Sequence, residues 1–208
     1  MVKIKICGIT NFEDALKAVD LGVDIIGFNF FKRSPRYILP KDAAKIIKKL
    51  PCFIYSVGVF VNDDPKYINK TIDITGIQAL QFHGNETSEF CDQFDYPLIK
   101  AFRVRNKASF KEIPKYNVDA YLLDTYEARK FGGTGKTFNW KLVKSLKKTS
   151  LPIFISGGLN PKNVVQAIKV TNPYAVDVNS GIEKFPGKKD PKLMKEFVYK
   201  ARGTNQLS

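Results

Sequence analysis

The sequence predicts an α/β protein built as one compact (β/α)8 TIM barrel over residues 1–208, and three observations predict it. Short apolar, β-branched runs alternate with amphipathic stretches along the whole chain. The strand-like runs number eight, which is the count that closes a parallel barrel. Glycine and polar residues follow directly on several of those runs, at the strand ends where a barrel of this class assembles its active site.

The runs lie at 3–7, 24–30, 53–60, 78–82, 98–104, 120–124, 152–156 and 175–179. A helix is expected over 11–21, because Phe12, Ala15, Leu16 and Val19 recur at i, i+3, i+4 and i+7 between a capping Asn11 and a terminating Gly22. Pro40, Pro65, Pro161 and Pro191 each stand where a first helical turn would begin. Spread over eight units, 208 residues leave 26 apiece, which accommodates a strand, a helix and two short connections with little to spare. Strands separated by helices cannot pair as hairpins, so the sheet is expected to be parallel, with a doubly wound open sheet as the rival arrangement.

Composition narrows the class of protein. With 44% hydrophobic and 26% charged residues, the chain can bury an ordinary globular core. The longest nearly apolar run, 52–61, is interrupted by Ser56 and Gly58 and falls short of the ~20 residues a bilayer requires. Lys3, Lys5, Glu13 and Asp14 break any apolar leader segment, and a cytoplasmic location is the expectation. Three cysteines, no C-x-x-C pair and a single histidine argue against a disulfide framework and against a metal site. The net charge of +14 is compatible with nucleic acid or with an anionic small molecule. Groups such as Lys45, Lys48, Lys49 and Lys141, Lys144, Lys147, Lys148 are spaced for the outer faces of helices, which makes a solvated surface the plainer reading.

The strand ends carry the chemistry. Strand one ends in Cys7-Gly8, strand four in His83-Gly84, strand six in Asp124-Thr125, strand seven in Ser156-Gly157-Gly158 and strand eight in Asn179-Ser180-Gly181. Glycine-containing turns after the last two strands are where barrels commonly bind phosphate, on backbone N–H groups and a helix N-terminus, so a phosphorylated substrate is expected there. Cys7 shares a strand face with Lys3 and Lys5 by alternation, and an ammonium beside a thiol favours the thiolate, which can act as a base. Asp124 ends an apolar strand and could donate a proton, or could simply cap or pair. His83 could contact substrate or bond within the turn that follows it. The run Gly132-Gly133-Thr134-Gly135-Lys136-Thr137 lacks the leading glycine of a nucleotide P-loop, because Lys130 occupies that place, and is expected as a loop over the barrel mouth.

Taken together, Lys5-Ile6-Cys7-Gly8-Ile9-Thr10, Ser34-Pro35-Arg36-Tyr37-Ile38, Gln81-Phe82-His83-Gly84, Gly132-Gly133-Thr134-Gly135 and Asp177-Val178-Asn179-Ser180-Gly181-Ile182-Glu183 resemble the phosphoribosylanthranilate isomerase family of tryptophan biosynthesis. Val57-Gly58-Val59-Phe60 and Pro186-Gly187-Lys188-Lys189-Asp190 extend the resemblance from residue 3 to about residue 200. The resemblance implies an Amadori rearrangement without metal or organic cofactor, with Asp124 as general acid and Cys7 as general base. It also implies Arg36 on the anthranilate carboxylate, His83 at an unassigned place in the site, and phosphate on Gly157, Gly158, Ser180 and Gly181, with Asn179 where a smaller serine-like residue is expected. The expected partner is a small molecule carrying phosphate and carboxylate, bound by a monomer or homodimer, with neither membrane nor nucleic acid. Two alternatives remain: another phosphosugar isomerase of the same barrel class, against which Cys7 speaks because those relatives pair two aspartates, and a basic nucleic-acid-binding protein on a barrel scaffold.

Overall fold

The computed structural model describes residues 1–125, 137–146 and 149–203. Eight strands, β1 (Lys3–Ile6), β2 (Ile25–Asn29), β3 (Tyr55–Phe60), β4 (Ala79–Phe82), β5 (Leu98–Val104), β6 (Ala120–Thr125), β7 (Ile153–Ile155) and β8 (Ala175–Val178), form a closed parallel barrel in sequence order. Closure is made by β1 against β8, with Lys5 opposite Asp177 and Ile6 opposite Val178. The open-sheet rival is thereby excluded. Each strand is one or more residues shorter than its apolar run except β5 and β6.

The core lies in two shells. Ile25, Val57, Ala79, Ile99, Ala101, Ala120, Leu122, Phe154 and Ala175 fill the barrel interior, while a larger cluster that includes Ile4, Ile6, Phe28, Phe60, Phe82 and Val176 packs between barrel and helices. Side chains alternate across a strand, so the residue two places beyond an interior one also points inward, nearer the carboxyl end of the barrel. That step leads from Ile25 to Gly27, from Ala79 to Gln81, from Leu122 to Asp124, from Phe154 to Ser156 and from Ala175 to Asp177. The apolar plug therefore carries a polar layer directly above it.

The outer layer follows the expected signals in most places. Helix α1 (Phe12–Asp20) is capped by Asn11, whose side chain accepts from the Asp14 N–H. Pro40 opens α2 (Pro40–Ile47), Pro65 opens α3 (Pro65–Thr75), and Pro191 opens α6 (Pro191–Gly203). A short α4 (Ser88–Cys91) follows β4. Pro161 does not begin α5 (Val164–Thr171), because Asn160 accepts from the Lys162 N–H while Asn163 accepts from the Asn160 N–H, and this asparagine turn delays the helix. Between β5 and β6 the chain makes two 3₁₀ turns, Lys107–Phe110 and Ile113–Lys115, and a further one, Trp140–Leu146, precedes β7. After β8 a small antiparallel hairpin, β9 (Glu183–Phe185) with β10 (Lys188–Lys189), lies against the first turn of the barrel and was not predicted, since such short segments have no readable period. Lys45, Lys48, Lys49, Lys141 and Lys144 are exposed as expected, whereas Lys147 and Lys148 lie outside the described residues. No helix among the described residues is long and apolar enough to cross a membrane.

Candidate active site

A cavity of about 550 Å³ opens at the carboxyl ends of the strands, and Cys7, Arg36, His83, Asp124, Gly157, Gly158 and Ser180 all border it. Its floor is the polar layer, with Gln81 and Asp177. Cys7 lies one residue past β1 and Asp124 near the end of β6; with the strands in the order β1 to β8 around a closed barrel, the two groups approach the cavity from nearly opposite sides.

Beneath Cys7 sits a buried ion pair. The Lys5 ammonium, with no solvent exposure, donates to Asp177 Oδ1 at 2.9 Å, and Ser156 donates to Asp177 Oδ2 at 3.2 Å. Burial alone would lower the Lys5 pKa, but the charges of Asp177 and Cys7 and its hydrogen bonds to both outweigh it, leaving the ammonium more firmly protonated than usual. Burial pushes the Cys7 thiol up from 9.0; the Lys5 and Lys189 charges pull the other way without cancelling it. The predicted influence of Lys5 on the thiol is thus present, yet desolvation wins in the resting protein. Lys3, expected on the same face, reaches out at the amino end of the strand and pairs with Asp24 at 2.9 Å, far from the cavity.

Gly27 makes this arrangement possible. A Cβ there would stand 2.9 Å from Cys7 Sγ and 3.0 Å from Lys5 Nζ. With Cys7 in the role of base that the resemblance implies, Gly27→Ala is expected to lower kcat by about one to two orders of magnitude, the effect of displacing such a group by a fraction of an ångström to an ångström. Steady-state kinetics on variant protein with an unchanged circular dichroism spectrum checks this, and full activity would contradict it.

On the other side of the cavity, Asp124 is held by two donors. Its Oδ1 accepts from the Thr125 N–H at 2.7 Å and its Oδ2 lies 2.9 Å from His83 Nε2. His83 Nδ1 in turn lies 2.9 Å from Gln81 Nε2. Among the described residues, Asp124 thus has His83 as its side-chain partner, and His83 bonds to it and not within the turn 84–86.

Above both groups, Arg36 forks onto Glu183: Nε donates to Oε1 at 2.9 Å and Nη2 to Oε2 at 2.7 Å. Only the outer guanidinium edge is left for a ligand. Buried Lys189 donates to Glu183 Oε1 at 2.9 Å and to Asn179 Oδ1 at 2.9 Å. Burial pushes the Glu183 carboxyl up, but its bonds to Arg36 and the Lys189 charge hold it below 4.5; burial also leaves the Lys189 ammonium below its ordinary value despite Glu183. Asn179, where a smaller residue was expected, is anchored by this lysine and abuts Gly8, whose Cβ would meet Asn179 Oδ1 at 2.7 Å and Arg36 Cδ at 2.9 Å.

The turn after β7 exposes backbone to the cavity through Gly157 (φ 86) and Gly158 (φ 66), left-handed conformations that glycine adopts without strain. Asn160 and Asn163 pin this turn by donating to the Gly158 carbonyl at 3.1 and 2.9 Å. Ser180 borders the cavity, but Gly181 does not; it packs on the β7 turn, where a Cβ would fall 1.9 Å from the Leu159 carbonyl oxygen. The helix N-terminus expected here is replaced by the three-residue 3₁₀ turn Ser180–Ile182. The glycine-rich run 132–135 lies outside the described residues. Among the described residues, no three His, Cys, Asp or Glu side chains are grouped so as to hold a metal ion.

Comparison with known proteins decides the family. A family sequence profile described as N-(5'-phosphoribosyl)anthranilate (PRA) isomerase matches residues 4–200. The chain belongs to this isomerase family. Its N-(5'-phosphoribosyl)anthranilate isomerase relative from Geotalea uraniireducens is 48% identical over 203 residues, covering 98% of this chain and all of the relative. The Geobacter sulfurreducens relative is 47% identical with the same coverage. The solved phosphoribosyl anthranilate isomerase from Thermotoga maritima superposes with a TM-score of 0.92 at 44% identity, over 98% of this chain and 100% of that one. A second solved isomerase, at 42% identity and a TM-score of 0.89 over 98% of this chain and 100% of its own, is in complex with reduced 1-(o-carboxyphenylamino)-1-deoxyribulose 5-phosphate.

As a member of the phosphoribosylanthranilate isomerase family, the chain has further groups in its site that sequence reading left without a role. Gln81, Asp177, Glu183 and Lys189 stood inside the recognised motifs, but only the barrel register and the unpredicted hairpin bring them together. The step of two from an interior apolar residue was the available signal for Gln81 and Asp177; nothing local marked Glu183 or Lys189.

Proposed function

We propose that this isomerase rearranges N-(5'-phosphoribosyl)anthranilate to 1-(2-carboxyphenylamino)-1-deoxyribulose 5-phosphate with Asp124 as general acid and Cys7 as general base. The single observation that carries these roles is their placement on opposite sides of one cavity, each fixed to a strand end by buried partners. Asp124 gives its proton to the ribose ring oxygen, the C1–O bond breaks, and the open chain is a protonated imine. Cys7, as thiolate, takes the proton from C2, whose electrons close the C1–C2 double bond as the imine nitrogen becomes an amine. The enolamine then gains a proton at C1 and loses one from the C2 hydroxyl, giving the ketone with no net proton change. One donor and one acceptor suffice, because each step moves a single proton.

The remaining roles follow from charge and shape. The outer edge of Arg36 suits the anthranilate carboxylate, since a guanidinium engages a carboxylate with paired bonds, and Glu183 already fixes its other edge. The backbone of Gly157 and Gly158 with Ser180 suits the phosphate, and Gly181 serves by letting the two turns meet. Tryptophan biosynthesis, the pathway of this reaction, supports a cytoplasmic location, with the protein acting as a single barrel either alone or as a homodimer. The test is to supply the purified chain with phosphoribosylanthranilate and follow anthranilate fluorescence. Loss of the signal at a rate proportional to protein is expected, and a flat trace from folded protein would overturn the reading.

A further inference from the structure

We infer that Gln81 is a positioning residue for the acid: its buried amide donates to His83 Nδ1 and thereby keeps the only proton of the neutral imidazole on Nε2, facing Asp124. The inference rests on the assignment of Asp124 as general acid. Gln81 is 1% exposed, its Nε2 lies 2.9 Å from His83 Nδ1, and its Oε1 has no hydrogen-bond partner among the described residues. A neutral imidazole has one N–H and one acceptor nitrogen, and an amide nitrogen can only donate. Opposite that donor, Nδ1 must present its lone pair, so the ring proton sits on Nε2, 2.9 Å from Asp124 Oδ2.

The consequence is chemical. A ring that already donates to Asp124 has no lone pair directed at it and cannot take the proton the acid is meant to deliver. With the Thr125 N–H on Oδ1 and the His83 N–H on Oδ2, the carboxyl plane is fixed by two donors, and its transferable proton is left to face the cavity. The opposite tautomer would aim the Nε2 lone pair at Asp124 and hold the acid's proton in a histidine–aspartate bond, away from the sugar. An apolar side chain would fill the place of Gln81, next above the interior Ala79, without stranding a buried acceptor. The amide is there for its donor.

His83 is the only histidine in the 208 residues, so a nitrogen spectrum of protein labelled with ¹⁵N-histidine reads this ring alone. In the unliganded wild type we expect a protonated Nε2 and an unprotonated Nδ1 at neutral pH; a proton on Nδ1, in either the other tautomer or the imidazolium, would overturn the inference without any variant being needed. Gln81→Glu, equal in size and as a carboxylate able only to accept, is expected to move the proton to Nδ1, and Gln81→Met, which offers no donor, to leave the tautomer unfixed. Both should lower kcat about tenfold or more with KM within about twofold, the split expected when an acid–base step and not binding is impaired. Variants that fold and keep both the wild-type tautomer and the wild-type kcat would also overturn it. A wild-type ring protonated on Nε2 together with an undiminished Asp124→Asn variant would refute the acid assignment and leave the tautomer standing, so the two failures are distinguishable.

Discussion

Asparagine in place of Asp124 is expected to lower kcat by about two orders of magnitude or more, the usual contribution of a positioned acid. The substitution preserves size, and an asparagine oxygen can still accept from the Thr125 N–H as Oδ1 does at 2.7 Å. What it cannot do is release a proton to the ring oxygen. Toward His83 it presents either an amide N–H, which opposes the ring's own N–H, or an oxygen, which leaves the Thr125 donor unpaired. Substrate contacts through Arg36 and the glycine turn are elsewhere, so KM is expected to stay within a few-fold. Steady-state rates from anthranilate fluorescence, on protein whose thermal unfolding matches the parent, check this; a rate near wild type would remove Asp124 from the mechanism.

Cys7→Ala is expected to cost a similar factor, again about two orders of magnitude, because the carboxylate nearest the thiol, Asp177, already accepts from Lys5 and Ser156. Lys5 is locked to Asp177 as an ammonium and cannot take the C2 proton in its place, and Lys189 is engaged by Glu183 and Asn179. The thiol also sets a pH dependence. Lys5 and Lys189 attract the thiolate and Asp177 repels it, but burial dominates and raises the thiol above 9.0. The base is the deprotonated form, so kcat/KM of the free enzyme is expected to climb as pH rises through that region. Cys7→Ala should lose this rise along with the activity, and a wild-type profile that is flat from about pH 7 upward would contradict the assignment. Glu183 gives the opposite, acid-side limit. Its folded carboxyl lies below 4.5, so the stability it contributes is present above that value and is lost as pH falls through the depressed one.

Much of this was legible in the sequence because the relevant signals are local. Apolar strands buried on both faces announce themselves as continuous runs, and prolines and asparagine caps mark helix starts, so the barrel and the strand ends bearing Cys7, His83, Asp124 and Gly157 could be located without coordinates. Pro161 misled because two asparagines beside it offered the backbone a competing turn. The partnerships were not legible. Lys5 meets Asp177 across 172 positions and Arg36 meets Glu183 across 147, contacts created by barrel closure and by a hairpin too short to show a pattern. The same limit hid one reason Gly181 is glycine, which is the Leu159 carbonyl on a neighbouring turn. Sequence position told where polar groups would sit, while register told which of them would touch.

The measurement that most directly tests the opposed acid and base is a single-turnover comparison of ordinary phosphoribosylanthranilate with substrate carrying deuterium at C2 of the ribose. Removal of that hydrogen by Cys7 after ring opening by Asp124 predicts a slower loss of anthranilate fluorescence with the deuterated compound. Identical traces for the two substrates, from wild-type protein under conditions where a single event is observed, would contradict proton abstraction at C2 as the step this cavity is built to perform.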